Sequence, residues 1–231
     1  EIGPGRGALT EKLLEKAETV LAVEKDWELV EFLKTKFEKE IKEKKLILIQ
    51  NDILKFDIQK TGQDVVEKSI AQADEPSIAI SQQGNMRGFR DNILPSFKNY
   101  KVIANIPYNI TGAILKKFLT EEHQPEMMVL MVQHEVAQRI LALDGKESIL
   151  SISVKAYGEP KMIMKVDKRY FSPVPKVNSA VIKIRNINQK NFSAKGGSAS
   201  GGEDIGVDEE KFWEIVKAGF AHKRKKLSSN L

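Results

Sequence analysis

The 231-residue chain contains no cysteine. That excludes disulfides, thiolate-based zinc sites and thiol nucleophiles. Histidine is almost as scarce. His123, His134 and His222 are scattered along the chain and read as surface or packing residues, so no metal site is assigned. No apolar run reaches membrane-spanning length and no signal peptide is visible, so a cytoplasmic protein away from membranes is expected. The chain also lacks an initiating Met, and its opening glycine loop lacks the strand that normally precedes such a loop. An N-terminally incomplete sequence is expected. What is present is globular: 41% hydrophobic and 30% charged residues, with length enough for a real core. The balance of 37 basic and 32 acidic residues, net +5, permits a nucleic-acid partner without requiring one.

Glu1-Ile2-Gly3-Pro4-Gly5-Arg6-Gly7 places glycines at alternate positions before a helix whose Leu9, Leu13, Leu14 and Ala17 share a face. Glycine permits tight turns and close approach of a ligand to the backbone. The spacing is neither GxGxxG nor a phosphate loop. It suits a nucleoside with no phosphate to cradle. Thr19 to Asp26 reads as a buried strand ending in acids, about 20 residues past the loop, where an acid in such folds binds ribose hydroxyls. Glu24 takes that role here, and Asp26 is placed to cap the next helix, which turns Val30, Leu33, Phe37 and Ile41 inward. Leu46 to Leu54 is a third strand ending in Asn51-Asp52. Asp52 either accepts a hydrogen bond from an adenine amine or caps a turn.

The central stretch is Lys101 to Thr111. The apolar run Val102–Ala104 ends in Asn105-Ile106-Pro107-Tyr108. Pro107 stops a central strand and pushes Ile106 to an extended conformation. A stiff loop then projects an amide and a ring from the carboxyl edge of a sheet, where open α/β folds bind ligands. That pairing suits transfer to the exocyclic amine of a nucleobase. The Asn105 side-chain oxygen and the Ile106 carbonyl would accept its N–H bonds and favour a pyramidal nitrogen, while Tyr108 stacks on an extruded base. A strand-to-loop turn with a buried tyrosine is the plainer alternative.

Helices are expected from Thr111 to Glu121, from Gln133 onward and over Ser148–Tyr157. Strands are expected over Met127–Val132, Met162–Val166 and Ser179–Arg185. Alternating strands and helices predict an α/β fold with a Rossmann-like sheet covered on both faces. The proline-fixed loop Tyr170 to Val177 presents Phe171, either as a partner for Tyr108 or as a core residue. Residues 61–99 read as an insertion, with a helix over Asp64–Ala73 and a second reading of RNA contact by Arg87, Phe89 and Arg90. Residues 1–188 form the expected main domain and 189–206 a flexible glycine–serine linker. Residues 207–231 begin a small helical domain, with Phe212, Ile215, Val216 and Phe220 on one stripe. It ends in Lys223, Arg224, Lys225 and Lys226, read as phosphate contacts or as a solvated helix end.

Taken in order, the glycine loop, Glu24, Asn51-Asp52, Asn105 to Tyr108, Gln133 to Arg139, Phe171 to Ala180 and Phe220 to Leu231 resemble the S-adenosylmethionine-dependent rRNA adenine N6-dimethyltransferases, small-subunit type. The resemblance covers nearly the whole chain outside 61–99 and 189–206. It implies that Glu1, Gly3, Gly5, Glu24, Lys25, Asp52, Ile53 and Asn105 bind S-adenosyl-L-methionine. Asn105 and Ile106 would hold the target N6, with Pro107 stiffening the loop and Tyr108 and Phe171 sandwiching the adenine. It further implies a monomer acting on small-subunit rRNA or the pre-ribosomal small subunit, dimethylating two adjacent adenosines in the 3′-terminal hairpin, and a C-terminal RNA-binding domain cut short here. A large-subunit enzyme of antibiotic resistance and a non-catalytic factor on the same fold are the alternatives.

Overall fold

The computed structural model describes residues 1–58, 99–189, 191–192 and 207–221. The expected helix over 64–73, the Arg87, Phe89 and Arg90 reading, most of the 189–206 linker and the Lys223–Lys226 cluster lie outside the described residues. The chain divides into two compact units at Tyr100/Lys101.

The first unit is built on two parallel strands, β1 (Val20–Glu24) and β2 (Leu46–Gln50), in register from Val20 opposite Leu46 to Glu24 opposite Gln50. Ile2 forms a parallel bridge to Val23, which sets the residues ahead of the glycine loop alongside β1. Helix α1 (Ala8–Leu14) follows the loop, and α2 (Trp27–Lys36) and α3 (Glu38–Lys42) connect the strands. Asp26 caps α2 as expected, accepting from the Glu28 and Leu29 N–H groups. The one helix expected through Ile41 breaks at Phe37, whose φ of −113° leaves the helical range. The break turns Phe37 into the core with Val20, Ala22, Leu33 and Leu46, and Leu13, Leu14, Ile41 and Leu48 pack against it. Full burial of such a side chain stabilises by about 1.5–3 kcal/mol, which outweighs helical continuity at one exposed turn. Lys36 ties the pieces together, donating to the Arg6 carbonyl and pairing with Glu11 at 2.7 Å.

The second unit carries a four-stranded sheet in the order β3 (Lys101–Asn105), β4 (Met127–Gln133), β6 (Ser179–Arg185), β5 (Glu159–Val166). β3 and β4 are parallel, and β6 runs antiparallel to both β4 and β5. Met128, Leu130 and Val132 of β4 and Ala180, Ile182 and Ile184 of β6 alternate into the core, the period-2 pattern of a strand. β5 starts three residues earlier than its apolar run suggests, because Pro160 is tolerated on an edge strand and Glu159 pairs with Arg185.

Helix α4 (Thr111–Thr120) buries Ile114, Leu115, Phe118 and Leu119. Helix α5 (His134–Leu141) leaves β4 directly, and α6 (Ile149–Lys155) forms despite its β-branched residues because Ser148 and Ser151 make a reciprocal capping box.

The C-terminal helix α7 (Glu209–Phe220) packs on α6 within this same unit. Its expected stripe is rotated. Ile215 is exposed, and Trp213 faces inward instead, stacked on Tyr157, with Phe212 edge-on to Phe192. Tyr157 donates to the Glu209 carboxylate and accepts from the Trp213 indole N–H. Burial first, then Glu209, push its hydroxyl well above the ordinary tyrosine range. Among the described residues no helix is long and apolar enough to cross a membrane.

Candidate functional site

In the first unit the glycine loop is held by its own N–H groups. Gly3 donates to the Val23 carbonyl, Gly7 to Pro4 and Gly5 to the Glu24 carboxylate at 3.1 Å. All three glycines sit at positive φ, but for different ends. A Cβ on Gly7 would lie 2.5 Å from the Phe37 ring, so Gly7 serves packing. A Cβ on Gly3 or Gly5 would meet open space, so their backbone is bare on that side. The three glycine N–H groups are thus engaged within the unit.

Glu24 is buried at the end of β1, yet charged groups are seldom buried without partners. Its partners are backbone N–H groups: Gly5 on Oε2, and Lys25 at 2.8 Å and Asp26 at 3.1 Å on Oε1. A carboxylate has about four acceptor directions, so one remains on Oε2. Asp52, at the end of β2, does two things at once. Oδ1 accepts from Leu54 N–H and closes a turn; Oδ2 pairs with Lys25 at 3.0 Å. The Leu54 N–H, then the Lys25 ammonium, hold its carboxyl below the usual carboxylate range. Glu1 accepts from the Thr10 hydroxyl at 2.6 Å, and burial chiefly, with the Glu24 charge adding, raises its carboxyl above that range. Ile53 is buried, so its side chain belongs to the core. Thr10 is a residue the sequence reading missed. It is fully buried and anchors Glu1 from the first turns of α1.

Glu1, Gly5, Glu24, Lys25 and Asp52 thus form one connected surface with bare glycine backbone and three carboxylates. Three carboxylates beside bare glycine backbone favour a ligand that carries positive charge over one that carries negative charge.

In the second unit, strand directions bring one edge of the sheet into use. β3, β4 and β5 end there and β6 begins there. Asn105 is exposed at that edge, on the last residue of β3. Ile106 turns inward with only 2% exposure and anchors the loop; Pro107 holds φ −59° and ψ 131°. Tyr108 opens a 3₁₀ turn through Ile110. Ile110 N–H donates to the Pro107 carbonyl and the Thr111 hydroxyl to that of Tyr108. The Tyr108 hydroxyl lies 2.7 Å from the Ser179 hydroxyl. At the same edge, Asp167 caps the 3₁₀ turn Lys168–Tyr170, and the half-buried Phe171 follows, its N–H donating to the Lys168 carbonyl. Asn178 binds this turn through Oδ1, which accepts from Lys168 N–H at 3.0 Å, and its carbonyl accepts from His134 N–H. The Asn105–Tyr108 loop and the Phe171 turn therefore lie at the same end of the sheet.

Comparison with known proteins defines the class first. Two solved structures align with 99% of the chain: a dimethyladenosine transferase from Plasmodium falciparum (TM-score 0.66, 23% identity, 65% of that chain) and the 23S rRNA methyltransferase ErmE (TM-score 0.64, 22% identity, 72% of that chain). The fold is that of Rossmann-like methyltransferases. The model of the family described as "Ribosomal RNA adenine dimethylase" matches residues 1–231, and the chain belongs to that family. Among its relatives are proteins named ribosomal RNA small subunit methyltransferase A, from Dehalococcoides mccartyi at 36% identity and from Fusobacterium nucleatum at 31%. The whole chain aligns in both cases and spans 63% and 70% of their lengths.

Proposed function

We propose that this chain is the catalytic part of an S-adenosylmethionine-dependent rRNA adenine N6-dimethyltransferase of the small-subunit type. Its target is the pair of adjacent adenosines in the 3′-terminal hairpin of small-subunit rRNA, free or within the assembling subunit. It works as a monomer in the cytoplasm. The observation that supports the reading is the sheet edge where the exposed Asn105 stands on a loop anchored by Ile106, followed by the Tyr108 turn tied to Ser179, with the Phe171 turn at the same end of the sheet.

S-adenosylmethionine, when bound, supplies an electrophilic methyl group on a sulfonium. Gly3 and Gly5 give its methionine part a bare backbone to lie against, and Glu1 and Glu24 answer its positive charge. The remaining acceptor direction of Glu24 Oε2 takes one ribose hydroxyl. Asp52 takes the adenine amine in place of Lys25, whose exposed ammonium is free to swing into water. Asn105 Oδ1 and the Ile106 carbonyl accept the two N–H bonds of the target amine, which moves its lone pair out of conjugation. Tyr108 and Phe171 stack on the extruded base. As the nitrogen gains a methyl group it loses a proton to solvent. A strong general base is not needed, because positioning and electrostatics supply the rate.

The test is direct. The natural full-length protein is given labelled S-adenosylmethionine with unmodified small-subunit particles or unmodified large-subunit rRNA, and the label is mapped after nucleoside digestion. Dimethyladenosine in the small-subunit 3′ hairpin is the expected result. Label in large-subunit rRNA moves the substrate to the resistance class, and no label on either, with cofactor bound, refutes the enzymatic reading.

A further inference from the structure

We propose that Ser179 is a positioning residue for Tyr108, and that Asn178–Ser179 sets the two aromatic-bearing turns of the catalytic edge against one another. The proposal rests on the function proposed above.

Ser179 is the first residue of β6 and is fully buried. Its place is firm, since it pairs with Gln133 on one side and Val166 on the other, the last residues of β4 and β5. A buried hydroxyl requires a hydrogen-bond partner. Here the partner is the tip of a ring 71 residues away in sequence. The main chain of Tyr108 is already held by its own turn, so the freedom left is rotation of the side chain about χ1 and χ2. A tether at the hydroxyl, the far end of the ring, removes both. Tyr108 is half-buried as a whole, and its hydroxyl is the end of the ring that meets the buried Ser179. Alanine would fill the strand position equally well, as the buried Ala180 beside it does. The hydroxyl pair is therefore explained by what it does to the ring: it fixes the plane against which a base must stack.

Asn178 does the matching work on the other turn. Its side chain holds Lys168 N–H at the start of the segment that ends in Phe171, and its carbonyl holds His134 N–H at the start of α5. Two consecutive residues thus bind three loops that meet at this edge.

The test compares wild type, Tyr108→Phe, Ser179→Ala and the double variant in the full-length protein with unmethylated rRNA. Each single variant is expected to lower kcat/KM for RNA by about five- to tenfold, the size of one net hydrogen bond. The double variant should lose no more than the worse single, because both remove the same contact. KM for S-adenosylmethionine should stay unchanged in all three. A fluorescent 2-aminopurine at the target position should be less quenched by the ring in both single variants, a signature that a packing role leaves untouched. Additive losses, altered cofactor KM, or RNA kinetics within about twofold of wild type would overturn the proposal. If Ser179→Ala does not fold, Tyr108→Phe decides alone, since it deletes one oxygen from a half-buried turn. Active wild type with unaffected variants refutes the positioning role and leaves the function standing, whereas an inactive wild type removes both.

Discussion

The glycine loop separates two kinds of glycine, and substituting one of each makes a sharp prediction. In Gly7→Ala the new Cβ would lie 2.5 and 2.9 Å from two carbons of the Phe37 ring and 3.0 Å from the Leu33 side chain. Phe37 is 4% exposed and Leu33 fully buried, so neither can retreat into solvent. Overpacking of this kind costs about 1–3 kcal/mol. The φ of +78° adds about 1–2 kcal/mol for a residue with a Cβ. The lower entropy of the unfolded alanine chain returns about 0.4–1 kcal/mol. The net loss is about 1–5 kcal/mol, a large part of the ~5–15 kcal/mol that holds a typical domain folded. Gly3→Ala carries the same backbone strain at φ +60° but meets nothing within 4 Å. Its net cost is about 0–1.6 kcal/mol, strain partly offset by entropy and no overpacking added. Its methyl group, however, stands where the cofactor would approach the loop. Urea titration followed by circular dichroism should show a large fall in midpoint for Gly7→Ala and a small one for Gly3→Ala. Calorimetric titration with S-adenosylmethionine should show the reverse order of damage among folded molecules. If Gly7→Ala proves as stable as wild type, or Gly3→Ala binds cofactor normally, the division of labour drawn for this loop is wrong.

Further outcomes follow from other contacts. Glu24→Gln turns an amide N–H₂ toward backbone donors and discards at least one charge-assisted bond, so stability should drop by about 1.5–3 kcal/mol in the same urea titration. An unchanged midpoint would mean the three N–H groups find other acceptors. Asn105→Ala should abolish methyl transfer while cofactor binding persists in part in the calorimeter, because the lost acceptor acts mainly on the target amine; normal turnover would sink the mechanism. Tyr157 bears on pH. Its hydroxyl is raised in the folded state, so the folded protein keeps it neutral where the unfolded chain ionises. The stability this contributes is complete below about pH 10 and is lost as pH rises beyond that, toward the folded-state value. Thermal melts of Tyr157→Phe should show a flatter decline over that range than wild type.

Much of this was legible in the residues. β1, β2, β3, β4 and β6 announce themselves as short apolar runs with polar ends, and Asp26 and Ser148 announce helix starts. The Asn105–Tyr108 loop reads directly because a proline after an apolar strand leaves few conformations open. What could not be read depends on partners distant in sequence. Phe37 carries the helical period of α2 and gives no sign of a break; the break exists because the core across from Gly7 needs the ring. Trp213 and Tyr157 look like separate aromatics until α7 lies on α6, which is why the stripe placed on Ile215 is one residue off. Asp52 left two roles open, and it fills the turn role with one oxygen while keeping the other at the surface with Lys25. Ser179 was visible only as a member of a string. A polar residue at the first position of an otherwise apolar strand, just after a proline-rich loop, was the available signal.

The fate of the three glycine N–H groups has a consequence for life among competing metabolites. Cells hold adenine nucleotides in abundance, and most loops of this shape welcome them by pointing free N–H groups at phosphate. This loop has already given its three glycine N–H groups to Val23, Pro4 and Glu24, and the carboxylates of Glu1, Glu24 and Asp52 lie in the same unit. It therefore chooses by charge: a triphosphate meets the carboxylates of Glu1, Glu24 and Asp52 and gains nothing from the three glycine N–H groups, whatever its adenine and ribose offer. Displacement titrations with ATP read that choice directly, and measurable competition at equal concentration would show the loop to be less exclusive than its hydrogen bonding implies.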